Sequence, residues 1–376
     1  MNKLSKVSSF TLLCISCLTI MVGAVIAPGL ATISHALGVS NYASLLVTLP
    51  ALGAVLFAPF SGRLIVKFGA YHATAVALFL YGVIGFSGLW LYGPTAIFIN
   101  RILLGAATAV IMAGGTMLIS QFYVGNARLN MIAKQGMAIE LGGVIFLFIG
   151  GQLAILGWYW PFSLYLMAWV FLAMLLLLVP LPCTENDSAL SLTGASTNTV
   201  TSMREVYLSA VMAMVLFFTL IIILPLSMNE SGYTEDQIGL FLAFISLVAV
   251  IAAHFMPRVS LRCGEHYTLM IAFGCYGLSH LVFYSGEQFI FLVIGGIFSG
   301  TGFGLSIPLL NHMTVERSHR GSIGKNLSYL AMAIFTGQFL TSFMAFIPGS
   351  SRDIYVVSAI IAALYLVYFN FKSNRV

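Results

Sequence analysis

The stretch GRLIVKFG at residues 62–69 is answered 195 positions later by PRVSLRCG at residues 257–264. Further matches occur at the same offset, and they pair Gly105 with Gly300, MAI at 137–139 with MAI at 332–334, and Gly142 with Gly337. A chain that is 60% hydrophobic produces many chance identities, but matches at one constant offset across separate segments indicate an internal repeat. The sequence therefore predicts two halves of similar design, which in a membrane protein is typical of a moving device around a central site.

The composition predicts that most of the surface faces lipid. Charged residues make up 7% of the 376 residues, whereas soluble domains contain about 25%. A spanning helix needs about 20 mainly apolar residues, and the long runs of Leu, Ile, Phe and Ala do not alternate as the strands of a membrane barrel do. Twelve spans are predicted, at 10–33, 42–65, 72–92, 95–118, 134–156, 161–181, 206–228, 238–257, 267–285, 289–311, 326–347 and 354–371. We expect the first run to be helix 1 and not a cleaved signal peptide, because it is too long and contains Pro28.

The distribution of Lys and Arg predicts the orientation of the chain. With the N-terminus in the cytoplasm, fourteen of the sixteen basic residues lie on the cytoplasmic side, Arg352 lies on the opposite side and Arg101 lies within a span. An even number of spans puts both termini in the cytoplasm, and we expect a multi-pass protein of the cell (inner) membrane. The net charge of +5 is thus a topology signal, and no compact basic domain supports nucleic-acid binding.

A polar stretch divides the chain. Residues 182–204 are rich in Ser, Thr and Asn and predict a cytoplasmic linker between an N-terminal bundle at 1–181 and a C-terminal bundle at 205–376. Because the outward loops are very short, the functional site is expected within the membrane, with a small molecule, protons and the lipid bilayer as partners of a monomer. Cys14 and Cys17 form a CxxC inside an apolar helix without a second ligand pair, so core packing is favoured and no metal or cofactor is expected.

With this topology, the chain resembles the major facilitator superfamily, in particular its twelve-helix drug:proton antiporters. The loop between helices 2 and 3 resembles the family signature G-x-L-x-D-R-x-G-[RK] at Gly62, Leu64, Lys67 and Gly69. Val66 stands at the acidic position of that signature and Ala70 at its last basic position. The missing acid prevents the charge relay that the signature usually forms.

Two further motifs carry the resemblance. Arg101 and Gly105 resemble the helix 4 pattern R-x-x-x-G. The antiporter pattern of helix 5 is G-x-x-x-G-P-x-x-G-G-x-L, and it is matched at Gly142, Gly150, Gly151 and Leu153. Phe146 and Leu147 replace its Gly-Pro pair. The resemblance implies an all-α integral membrane protein in which two pseudo-symmetric six-helix bundles rock about a central cavity lined by helices 1, 4, 7 and 10.

Glu140 is the only acidic residue well inside a predicted span. A charged side chain at the bilayer centre costs about 2.5–3.5 kcal/mol on insertion scales, so such residues are functional candidates by default. We interpret Glu140 as a proton site, because a carboxyl group whose access alternates between two sides of a membrane can bind and release a proton. The alternative is a glutamate near the cytoplasmic end whose side chain reaches water or a neighbouring helix.

His254 and Arg258 are the predicted partners of Glu140. Both lie at the inner end of helix 8, and the resemblance implies that helices 5 and 8 face each other across the two bundles. A Glu140–His254 or Glu140–Arg258 contact would then form when the cytoplasmic side closes, and protonation of Glu140 would weaken it. The alternative is an interfacial histidine without a role in coupling.

The remaining candidates belong to the cavity and to the gate. Arg101 is predicted to face the cavity and to meet an anionic substrate or carbonyls of helix 1, the alternative being a structural arginine bonded to backbone. The weaker cavity candidates are Asn100, Thr108, Met112, Asn311 and Gln338. The gating residues are expected to anchor the inner ends of helices 2 and 8, and they are Gly62, Arg63, Lys67, Gly69, Arg262 and Gly264.

The sequence thus predicts a secondary active transporter and not an enzyme. The leading interpretation is proton-coupled export of a small amphipathic organic molecule, such as a drug or a secreted metabolite, by alternating access. Uptake of a small metabolite by symport or facilitated diffusion is the alternative, because the helix 5 motif is incomplete. His312 and Glu316 lie one turn apart, but no nucleophile motif or metal-ligand cluster accompanies them, so a membrane enzyme is disfavoured.

Overall fold

The computed structural model describes residues 4–123, 125–181, 200–286, 288–318 and 323–373. Within these ranges the chain forms α-helices joined by short turns. The helices are α1 (Lys6–Ala24), α2 (Leu30–Ala36), α3 (Ala43–Phe68), α4 (Ala70–Ser87), α5 (Pro94–Phe122), α6 (Gly125–Leu156), α7 (Met167–Leu178), α8 (Val200–Glu230), α9 (Glu235–Ser285), α10 (Phe289–Glu316), α11 (Ile323–Leu340) and α12 (Ser351–Ser373). Four 3₁₀ segments lie at Ser40–Tyr42, Gly88–Trp90, Trp160–Leu166 and Thr341–Phe346. Residues 182–199 of the predicted linker lie outside the described residues.

The predicted all-α fold class is confirmed. Eleven helical segments of the described chain are long and apolar enough to cross a membrane. One of them, α9, contains the two predicted spans 238–257 and 267–285, which are separated by an interruption of the helix at Gly264. Each of the twelve predicted spans therefore corresponds to a helical segment of the structure.

The helix of the first predicted span is interrupted near Pro28. Helix α1 ends at Ala24, and α2 begins only at Leu30. Pro28 lies in the gap. Proline has no backbone N–H, and its ring clashes with the carbonyl of the preceding turn, so it kinks or breaks a helix. At Pro28 the helix is broken.

Contacts divide the chain into two compact units. The first unit comprises Met1–Asn186 together with Thr234–Ala243, and the second comprises Asp187–Tyr233 together with Phe244–Val376. In the first unit α1 packs on α5, α6 and α7, and α3 packs on α5. In the second unit α8 packs on α10, α11 and α12.

Matching glycines of the repeat make matching contacts in the two units. A Cβ atom on Gly105 of α5 would clash with the backbone carbonyl of Pro50 on α3. A Cβ atom on Gly300 of α10 would lie 2.5 Å from the carbonyl oxygen of Ile245 on α9. Pro50 and Ile245 are themselves 195 positions apart. The repeated glycines therefore allow the same close helix crossing in each unit.

The second glycine pair of the repeat has a similar role. A Cβ atom on Gly142 of α6 would lie 2.9 Å from the Cβ atom of Cys17 on α1. A Cβ atom on Gly337 of α11 would lie 2.5 Å from the carbonyl oxygen of Val211 on α8. The glycine thus allows α1 and α6 to approach closely in the first unit, and α8 and α11 in the second.

The repeated basic stretches each end in a glycine with a positive φ angle. Gly69 has φ 80° and separates α3 from α4, and Gly264 has φ 84° and interrupts α9. A Cβ atom at either position would meet no other atom within 4 Å, so packing does not demand glycine there. The backbone conformation does, because L side chains rarely adopt it.

Several side chains of these stretches are exposed. Val66, at the position where the family signature has an acid, is 85% exposed, and Leu261, which lies 195 positions later, is 87% exposed. The guanidinium carbon of Arg63 lies 5.6 Å from the ring centroid of Phe60, and Nζ of Lys67 lies 5.2 Å from the ring centroid of Phe68. Arg262 is also exposed.

Replacing Gly105 by leucine should destabilise the protein. The new side chain would force α5 away from the carbonyl of Pro50, and overpacking of this kind costs about 1–3 kcal/mol. We expect a lower thermal unfolding temperature for Gly105→Leu in detergent. Gly62→Ala is the control, since nothing lies within 4 Å of a Cβ atom there. Equal unfolding temperatures for the two variants would contradict the packing role.

Candidate functional site

Glu140 lies in the first unit, on the face of α6 that also carries Leu147 and Gly151. These two residues follow it by about two and three helical turns, so the three positions point in nearly the same direction. The Glu140 side chain is half-buried, and among the described residues it makes no hydrogen bond or ion pair. A carboxylate in this setting is available to bind a proton or a cationic group.

The C-terminal part of this face packs against the first turns of α9. A Cβ atom on Gly151 would lie 2.7 Å from the carbonyl oxygen of Glu235 and 2.8 Å from the Cα atom of Gly239. A Cβ atom on Gly239 would in turn lie 2.7 Å from the Cα atom of Gly151. The hydroxyl of Thr32 donates a 2.5 Å hydrogen bond to the Glu235 carboxylate. Backbone contact therefore joins residues 234–243 to the first unit.

A polar network lies just before Glu140 along α6. The side-chain amide of Gln135 donates to the hydroxyl oxygens of Ser16 on α1, at 2.9 Å, and Thr116 on α5, at 3.2 Å. The thiol of Cys17 donates to the backbone oxygen of Ala138 at 3.0 Å. These bonds fix the rotation of α6 against α1 and α5, and this rotation sets the direction of Glu140. The sequence interpretation missed Gln135, although a glutamine inside an apolar span is a signal for a bond between helices.

Arg101 is fully buried, at 0% exposure, inside the first unit. Its Nη1 donates to the hydroxyl oxygen of Tyr165 at 3.1 Å. Its guanidinium carbon lies 5.3 Å from the ring centroid of Phe162 and 5.7 Å from that of Tyr165. Aromatic faces attract a cation through their quadrupole. The described contacts of Arg101 are thus aromatic, and its Nε and Nη2 atoms have no described partner.

Tyr165 carries the contact from Arg101 to the end of α1. The amides of Ile26 and Ala27 both donate to the carbonyl of Gly23, at 3.2 Å each, so the helix break leaves the Val22 carbonyl without a backbone donor. The Tyr165 hydroxyl donates to this carbonyl at 2.9 Å. Because a guanidinium cannot accept and a carbonyl cannot donate, the direction of both bonds is determined.

A second tyrosine holds α1 one turn earlier. The hydroxyl of Tyr81 on α4 donates to the carbonyl of Leu18 at 2.9 Å. The rings of Tyr81 and Tyr165 meet edge to face, with their centroids 5.8 Å apart. The last turns of α1 are therefore held by two buried hydroxyl groups, which the sequence interpretation did not identify.

His254 and Arg258 lie on the part of α9 that belongs to the second unit. Both side chains are exposed. The ring centroid of Phe255 lies 5.3 Å from that of His254 and 5.4 Å from the guanidinium carbon of Arg258. Neither residue makes a hydrogen bond or an ion pair with any described residue. Their pairing with Glu140 stays a prediction.

Two of the weaker cavity candidates form hydrogen bonds within their own helices. The hydroxyl of Thr108 donates to the carbonyl of Leu104 at 2.9 Å, and the side-chain amide of Asn311 donates to the carbonyl of Ile307 at 3.1 Å. Asn100 instead donates to the carbonyl of Ile84 on α4 at 2.8 Å. Met112 is half-buried and Gln338 is buried. Their contact with a substrate stays a prediction.

Comparison with known proteins identifies the family. The family model of the Major Facilitator Superfamily matches residues 12–204 and 206–375. The quinolone resistance protein NorA of Staphylococcus aureus is 23% identical over 118 residues, which are 31% of this chain and 30% of that relative. The chain therefore matches less than a third of the length of this relative.

Solved structures share the fold across almost the whole chain. The nucleoside transporter NupG matches with a TM-score of 0.74 at 15% identity and covers 96% of this chain and 98% of its own. A D-xylose-proton symporter matches with a TM-score of 0.73 at 17% identity and covers 97% and 98%. The human organic anion transporter MFSD10 matches with a TM-score of 0.68 at 15% identity and covers 97% and 99%. At these identities the likeness shows the fold alone.

Removing the hydroxyl of Tyr165 should destabilise the first unit. Tyr165→Phe leaves the Val22 carbonyl buried without a donor, which costs about 1–3 kcal/mol. We expect a lower thermal unfolding temperature in detergent. The matched control is Tyr159→Phe, because the Tyr159 side chain is exposed and its described contacts are made by the ring and not by the hydroxyl. An unfolding temperature of Tyr165→Phe no lower than that of the control would contradict the assignment.

Proposed function

Because the chain belongs to the Major Facilitator Superfamily and is therefore a multi-pass membrane transporter and not an enzyme, we propose that it exports a small amphipathic organic molecule in exchange for protons. The observation that carries this proposal is Glu140. It is a half-buried carboxylate within an apolar span, and it has no described hydrogen-bond or ion-pair partner. The partial similarity to a quinolone resistance protein supports export of an amphipathic compound.

The proposed role of Glu140 is to bind a proton and release it on the other side of the membrane. A permanent charge at this position would be costly, whereas a carboxyl group that is protonated in one state and charged in another can couple two movements. One proton moving through 100 mV releases about 2.3 kcal/mol. That energy supports roughly fifty-fold accumulation of a substrate.

The remaining site assignments follow the same proposal. His254 and Arg258 are the proposed basic partners of Glu140. Met112 and Asn311 are the proposed substrate contacts with the most accessible side chains, since Asn100, Thr108 and Gln338 are buried. The protein is proposed to be a monomer in the cell (inner) membrane. Both of its termini are proposed to lie in the cytoplasm.

Uptake by proton symport is the second candidate. One observation favours it, namely that Phe146 and Leu147 replace the Gly-Pro pair of the antiporter pattern in helix 5. Both side chains are buried. Glu140 would serve symport equally well, because a proton that crosses together with the substrate also needs a carboxyl group to bind it.

Proteoliposomes with a pH-sensitive dye inside distinguish the two functions. A quinolone and a panel of metabolites would be added outside the vesicles. Under antiport, the entering compound drives protons out, and the internal pH rises. Under symport, the compound and the proton enter together, and the internal pH falls. We expect a rise for at least one amphipathic compound, and a fall for every transported compound would overturn the proposed export.

Glu140→Gln should abolish proton-driven transport but retain exchange of substrate between the two sides. The amide resembles the protonated carboxyl group in shape but cannot release a proton. His254→Ala should also abolish proton-driven transport. Glu230→Gln is the control, because Glu230 is an exposed carboxylate at the end of α8. Proton-driven transport at the wild-type rate in both Glu140→Gln and His254→Ala would sink the coupling hypothesis.

A further inference from the structure

His280 is a fully buried histidine of the second unit, at 0% exposure, and it lies on the part of α9 that follows Gly264. Its Nε2 lies 3.1 Å from the carbonyl oxygen of Leu216 on α8. A carbonyl oxygen can only accept, so Nε2 carries the proton in this bond. The other ring nitrogen, Nδ1, has no described partner. The imidazole therefore has one polar contact, and this contact is with the backbone of α8.

A second contact holds α8 three turns further along. The hydroxyl groups of Tyr355 on α12 and Ser227 on α8 lie 3.4 Å apart. The ring centroids of Tyr355 and His280 are 6.1 Å apart. Pro225 lies within α8, between the two contacts. Proline removes one helical hydrogen bond and is a common cause of a kink, so Pro225 divides α8 into a segment bound to His280 and a segment that contacts Tyr355.

The first unit holds its first helix at the corresponding level. Leu216 lies 194 positions after Val22, whose carbonyl accepts the bond from Tyr165 that Arg101 supports. His280 itself lies 195 positions after Gly85. A Cβ atom on Gly85 would clash with the ring of Tyr165, so glycine makes room there for the tyrosine. Each unit thus has a side-chain donor to a carbonyl at nearly the same position of its first long helix, Tyr165 in the first unit and His280 in the second.

We propose that His280 is a positioning residue for transport. It fixes the segment of α8 before Pro225 to α9, so that a change of angle at Pro225 during the transport cycle moves only the segment beyond it, together with its contact to Tyr355. His280 contacts no substrate in this scheme and acts only through the backbone of α8. The inference rests on the proposed transport function, because a transport cycle supplies the movement that the anchor resists.

Three variants test the anchor. His280→Phe keeps a ring but removes the N–H donor, and His280→Gln keeps an amide N–H at a similar reach. His72→Phe is the matched control, because His72 is an exposed histidine on α4. Should His280→Phe not be recovered as a folded protein, His280→Asn replaces it, since its shorter amide does not reach the Leu216 carbonyl.

The first readout is transport of ethidium or a quinolone into proteoliposomes. We expect His280→Phe to lower the maximal rate about tenfold, the rate effect of one lost buried hydrogen bond, with the half-saturating concentration changed less than about twofold. His280→Gln should recover a rate within about twofold of the wild type, because it restores the donor. A change confined to the half-saturating concentration, or no recovery by His280→Gln, would overturn the positioning role.

The second readout does not require transport. Hydrogen–deuterium exchange of peptides covering residues 212–230 should be faster in His280→Phe than in the wild type, His280→Gln and His72→Phe. Equal exchange in His280→Phe and the wild type would overturn the anchor whatever the transport assay shows. Faster exchange in a protein that moves no proton with any compound would uphold the anchor and overturn the proposed function instead.

Discussion

The close approach of helix backbones at glycine is the contact on which both units depend. Lipid tails are as apolar as leucine, so helices in a bilayer gain little by hiding apolar surface from their surroundings. They associate by van der Waals packing, which improves as the backbones approach. In the first unit Gly105 meets the carbonyl of Pro50, and in the second unit Gly300 meets that of Ile245. The repeat in the sequence is thus a repeat of helix crossings.

Buried backbone carbonyls impose the second constraint. The break after α1 frees the carbonyl of Val22, and in an apolar interior such a group must find a donor. Tyr165 supplies that donor, and Arg101 binds the tyrosine oxygen in turn. A fully buried arginine thus becomes part of the support of a helix end. Its described neighbours are aromatic rings, so its positive charge lies against their faces.

The sequence was sufficient to predict the helical spans, because each span is a run of about 20 mainly apolar residues. It was not sufficient for side-chain contacts within each unit. The helices are apolar on all sides, so no polar stripe shows which face packs inward. Glu140 could be predicted as an intramembrane charge, but its direction depends on the bonds of Gln135 to Ser16 and Thr116. Tyr165 and His280 contact helices far away in sequence, and their partners are carbonyls, which every residue carries.

The two glycine joints have a mechanical consequence. Gly69 alone separates α3 from α4, and Gly264 alone interrupts α9. A joint of one residue contains no spare length, so one helix cannot slide along its axis without pulling on the next. A twist of the C-terminal end of α3 is therefore passed directly to α4. The same joints would not tolerate an inserted peptide tag or reporter domain, because any insertion would uncouple two helices that the chain keeps taut.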